Sequence, residues 1–151
     1  MRESPPELVL ALTEYEDNRG DRSKGDWTAF TAIVASRGFR GHTHFWVSRD
    51  DLEVFVTALR ALDEHLTGVA ELVCGVGTDE YLRVRVVPYG GSGRLTVQAM
   101  LAEPRDPIHQ RVQAGFVILP NELTAFRAAM RRLLESRAGE ARLAGDPEQG
   151  V

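Results

Sequence analysis

RGHTHFWVSRDDLEVFVTALRAL, residues 40–62, and RVQAGFVILPNELTAFRAAMRRL, residues 111–133, align without a gap 71 positions apart. Phe45, Val47, Leu52, Phe55, Ala58, Leu59 and Leu62 return as Phe116, Ile118, Leu123, Phe126, Ala129, Met130 and Leu133. In each copy an alternating apolar stretch runs into apolar residues at helical spacing, which predicts a strand feeding an amphipathic helix. Self-similarity at a fixed offset predicts two related halves, about 7–67 and 68–136, around one core. Every matched position is a packing position, so the repeat names no chemistry.

Working outward, Leu8, Leu10 and Leu12 alternate and predict a first strand, and Trp27 to Ala35 predicts a second, joined to His42–Val47 around the turn SRGFRG. Ser48 and Asp51 form a capping-box-like start for a helix that runs to about Leu66, with Gly68 as its left-handed stop. Val69–Val76, Tyr81–Val87, Arg94–Leu101 and Arg111–Ile118 read as four more strands, and Pro120 opens the second helix. The run EDNRGDRSKGD, residues 16–26, holds no apolar residue and predicts a mobile loop. Residues 137–151 lose periodicity and predict a flexible C-terminal tail beyond a single domain at 1–136. The expected fold is α+β, an antiparallel sheet of about seven strands with both helices on one face and the other face free.

The chain has 151 residues, 43% of them hydrophobic and 26% charged, which suits one soluble domain. Its start shows no basic segment followed by an apolar run, and no stretch is long and apolar enough to span a bilayer, so a cytoplasmic protein is expected. A single cysteine, Cys74, excludes an internal disulfide and any cysteine-based zinc site. The net charge of −4 argues against nucleic acid as a partner, because phosphate binding draws on clustered Lys and Arg. The charge is uneven, with 8 Lys plus Arg against 13 Asp plus Glu in residues 1–75 and 10 against 9 in the rest.

Positions facing away from the expected core are His42, His44, Trp46, Arg83, Arg85, Arg94, Thr96, Gln98, Arg111 and Gln113. Together they compose a cationic, hydrogen-bonding face suited to an acidic protein surface or to a single nucleic-acid strand, although polar outward positions are general in one-sided sheets. Asp50, Asp51 and Glu53 mark an acidic side of the first helix, opposite in charge to Arg127, Arg131 and Arg132 of the second. The surface read as protein-binding is therefore Trp46, Arg83, Arg85, Arg94, Gln98 and Arg111 with Asp50, Asp51 and Glu53. His42 and His44 project the same way from one strand and are the weak candidates for a metal, with His109 or Glu14 as a conceivable third ligand. No cofactor motif is present, neither a phosphate loop nor a dinucleotide fingerprint, and no nucleophile stands on a strand-turn-helix. A non-enzyme is expected.

FRGHTHFWVSRDDLEVFVTALRALDEHLTGVAELVC (39–74), followed by alternating strands and GFVILPNELTAFRAAMRRLL (115–134), resembles a group of small uncharacterised bacterial proteins. Some of these are immunity proteins of cell-wall-associated contact-dependent toxins. The resemblance covers about residues 27–135 and rests on core spacing with the Phe-Trp and Asp-Leu-x-x-Phe elements. It implies a non-enzymatic protein-binding domain that masks a toxin by steric and electrostatic docking, and it brings no catalytic residues. Beside it stand a small-ligand or metal-binding enzyme using His42 and His44, and a homodimeric structural module.

Overall fold

In a computed structural model, residues 5–16, 26–75, 80–91, 93–105 and 108–147 are described. The expected mobile loop and the four C-terminal residues therefore fall largely outside them. The described chain runs β1 (Glu7–Glu16), β2 (Trp27–Ser36), β3 (Phe39–Ser48), α1 (Arg49–His65), β4 (Ala70–Cys74), β5 (Leu82–Tyr89), β6 (Arg94–Arg105), β7 (Ile108–Ile118), α2 (Pro120–Ser136) and β8 (Glu140–Ala144). The α+β class and antiparallel pairing agree with the sequence reading. The single sheet of about seven strands does not.

Two four-stranded antiparallel sheets form instead, ordered β3-β2-β1-β8 and β4-β5-β6-β7. The physical reason is where each helix delivers the chain. Out of α1, β4 pairs with β5 rather than returning to β3, and out of α2, β8 crosses back to pair with β1. Residues 140–144 thus belong to a sheet and correct the expected tail: Ala141 and Leu143 are fully buried, and alternation over five residues was too short to stand out between glycines.

The inner faces of both sheets and the apolar sides of both helices enter one core, from Leu8, Phe30 and Val47 through Val84 and Val97 to Phe55 and Phe126. This corrects the picture of one sheet with helices on one face. Each sheet covers the other's apolar face, β2 and β3 lying against β6 and β7, while α1 packs on β3 and β4 and α2 on β8. Where β3 meets β7 the approach is close enough to require glycine: a Cβ on Gly41 would stand 2.8 Å from Val112 Cγ2. The free edge of β7 is occupied too, since Gly115 O accepts from Ser36 Oγ at 3.1 Å and Val117 O from Asp146 N at 2.7 Å.

Local signals set the element ends. Arg37 (φ 51) and Gly38 (φ 85) make the two-residue turn between β2 and β3, the positive φ pair that matches strand twist. Ser48 Oγ accepts from Asp51 N at 3.1 Å, as the capping signal predicts. The left-handed stop of α1 falls on Leu66 (φ 53), two residues before the expected Gly68, because the Leu66 N–H still reaches Leu62 O at 2.8 Å. Between the helices, Arg127 Nε stands 3.0 Å from the Asp63 carboxylate as an ion pair, and Asp63 accepts from Thr124 Oγ1 at 2.7 Å, the cross-helix pairing that their opposite charge suggested.

Candidate functional site

The outward residues divide between the two sheets. On the first sheet, register places Trp46 opposite Ala29 and Trp27 opposite Ser48, so the two tryptophans are diagonal neighbours on one face. His44 lies opposite Thr31, whose Oγ1 is 2.9 Å from His44 Nδ1. His42 meets His44 edge to face. Among the described residues no group of three or more His, Cys, Asp or Glu is placed to hold a metal, so the structure gathers no further ligand around the histidine pair.

Beyond the β3 edge lies a cleft of about 470 Å³, bounded by Trp27, Trp46, His44, Ser48 and Asp51 on one side and by Tyr81, the residue before β5 of the second sheet, on the other. The three aromatics are 40%, 43% and 38% exposed for Trp27, Trp46 and Tyr81. Large rings left open to water around one hollow are unusual for side chains that core burial would favour. Val73 and Cys74 form its floor. Burial pushes the Cys74 thiol up to about 12, with the nearby Asp51 charge adding to the effect, so the thiol is uncharged and unreactive at neutral pH.

Arg83, Arg85 and Arg111 stand on the outer face of the second sheet. Its strands carry five arginines against two glutamates. Arg83 lies opposite Met100, Arg85 opposite Gln98, and Arg111 opposite Ala102. Ala102 N donates to Tyr81 O at 2.9 Å, which ties the Arg111 row to the rim of the aromatic cleft. Arg83 is occupied by Glu80 at 2.6 Å and Glu71 at 3.4 Å; its hydrogen bond holds Glu80 below the usual carboxylate range, and Arg111 contributes to the same lowering. Arg85 and Arg111 are exposed and make no ion pair among the described residues, although the Arg111 charge is felt by Glu80.

Of the residues read from sequence as one surface, Arg83, Arg85, Gln98 and Arg111 do share a face, and Trp46 borders the cleft that adjoins it. Arg94 turns to the buried Asp146, 3.6 Å away, at the other end of β6. On α1 only Asp51 reaches the cleft; Asp50 is exposed in the first turn, and Glu53 pairs with Arg49 at 3.2 Å. Trp27 and Tyr81 were missed. A hairpin centred on Arg37-Gly38 already implies that Trp27 falls beside Trp46, whereas Tyr81 arrives only through packing of the two sheets.

No family model matches the chain, and no curated protein matches it. The chain is similar to a solved structure, the crystal structure of WHY3 from Arabidopsis thaliana, with 13% identity, 89% of this chain and 83% of that chain covered, and a TM-score of 0.47. WHY3 is a nucleic-acid-binding protein. The likeness is distant and carries no argument about what this chain binds. Beside this neighbour two expectations are withdrawn, the toxin-masking immunity domain with its protein partner and the exclusion of nucleic acid. The physical reason for the second is that net charge averages over the chain, whereas the topology collects arginines on one sheet and leaves many carboxylates elsewhere.

Proposed function

We propose that the chain binds a single strand of nucleic acid, with bases on the Trp27, Trp46 and Tyr81 cleft and phosphates on the arginine face beside it. The observation that carries this reading is the pairing of three exposed rings with unpaired Arg85 and Arg111 across one connected surface. Single strands are held by that combination, aromatic platforms for bases and a cationic track for the backbone. A duplex keeps its bases stacked inside and offers nothing to the rings. The role is binding, without a chemical step.

Two unpaired arginines imply few phosphate contacts. For single strands, each neutralised phosphate contributes roughly −0.7 to the slope of log affinity against log salt, so a slope of about −1.4 is expected. Fluorescence anisotropy of a labelled 20-nucleotide single strand against its duplex tests the proposal. Tighter binding of the single strand, with a slope that flattens toward zero in Arg85→Ala/Arg111→Ala, supports it; equal binding of both forms, or a slope unchanged in the double variant, refutes it.

The finer reading of the fold belongs beside this. We propose that residues 7–67 and 68–136 are related halves. Supporting it are the sequence match at 71 residues and a run of strands that ends in a helix in each half, three strands before α1 and four before α2.

A further inference from the structure

The cleft has a polar end that ring stacking does not explain. Its described lining contains no arginine or lysine, so it offers nothing to a phosphate. It does contain Asp51 and Ser48, side by side at the start of α1. Among the described residues no side chain hydrogen-bonds or ion-pairs with the exposed Asp51 carboxylate, and its charge reaches the Cys74 thiol at the cleft floor. The Ser48 hydroxyl accepts from Asp51 N at 3.1 Å and keeps its own hydrogen to donate. A carboxylate accepts only, with two oxygens able to take two parallel N–H groups.

Resting on the strand-binding reading, we infer that this cleft selects guanine, its ring held among Trp27, Trp46 and Tyr81 with N1–H and the 2-amino group donating to Asp51 and O6 accepting from Ser48. The other bases fit worse for a stated reason. Adenine and cytosine set a ring acceptor beside their amino group, and that acceptor would face the carboxylate. Thymine offers one N–H between two carbonyl oxygens, which repel it. A base that covers the carboxylate without donating to it strips it of water and returns nothing, so the preference arises from mismatch as much as from attraction.

The test uses the full chain with three 12-nucleotide strands: a thymine tract, the same tract with one central guanine, and the same tract with hypoxanthine there, which lacks the 2-amino group. Binding about tenfold tighter to the guanine strand than to the thymine tract, with hypoxanthine between, is expected. In Asp51→Ala the three strands converge on one affinity, and a urea unfolding transition as cooperative as that of the unaltered chain reports an intact fold. Equal binding of all three strands by the unaltered chain overturns the guanine assignment while leaving strand binding intact. A guanine preference that survives Asp51→Ala overturns the role given to Asp51. Failure to bind any strand would instead strike the strand-binding reading itself.

Discussion

The rings of Phe55 on α1 and Phe126 on α2 meet edge to face, centroids 6.4 Å apart and planes at 72°. Both are fully buried, and they are the two residues that the offset of 71 positions sets in equivalent places. Their contact joins the two strand-to-helix segments in one interior. Truncating either to alanine removes a large buried ring, and a loss of about 3–5 kcal/mol in unfolding free energy is expected from denaturant titration. A double-mutant cycle should return a coupling of about 0.5–1.5 kcal/mol, the usual range for an aromatic pair.

Gly41 tests the approach of the two sheets. Because its missing side chain admits Val112, Gly41→Ala forces β3 away from β7 and should cost about 1–3 kcal/mol. Val112→Ala in the same chain frees the space, so the double variant should lose less than the sum of the two single changes in urea unfolding.

The Cys74 thiol gives a pH dependence whose sign follows from burial. Its folded value is raised from 9.0 to about 12, so the folded chain keeps a proton that the unfolded chain releases above 9. Stability from this group is whole below pH 9 and falls as pH climbs from 9 to 12, by at most about 1.4 kcal/mol per pH unit. Unfolding midpoints of the unaltered chain and Cys74→Ala, compared across that range, should converge as pH rises.

Asp63 pairs with the charge of Arg127 and accepts from Thr124 in a partly buried setting between the helices. Such a pair lies between exposed ion pairs worth under about 1 kcal/mol and buried ones whose breakage costs several. Asp63→Ala should therefore lower stability by about 1–2 kcal/mol. By contrast Arg60→Ala, which breaks an exposed pair with Glu64, should leave it almost unchanged in the same assay.

Much of the fold was legible because its elements speak locally. The alternation of His42–Val47, the Ser48 cap and the stripe from Leu52 to Leu62 each name a strand, a start and a buried helix side without reference to the rest of the chain. What stayed hidden depends on where the chain goes after each helix. The same apolar run at Val69–Cys74 is compatible with joining either sheet, and only packing of Leu72 and Ala70 into the common core decides it. The site divides in the same way. Arg83, Arg85 and Arg111 were readable as outward by alternation, but Tyr81 and Asp51 become neighbours of Trp46 only once two sheets and a helix converge, and no spacing along the chain announces that.

The chain's two tryptophans, Trp27 and Trp46, both border the cleft, so their emission reports the proposed site directly. Titration with an unlabelled single strand should quench that emission along a saturating curve that matches the anisotropy curve. Trp46→Ala should weaken binding roughly 5- to 150-fold, the worth of one stacked base. Tryptophan emission unmoved at strand concentrations that saturate anisotropy would place the bound strand elsewhere and contradict the account.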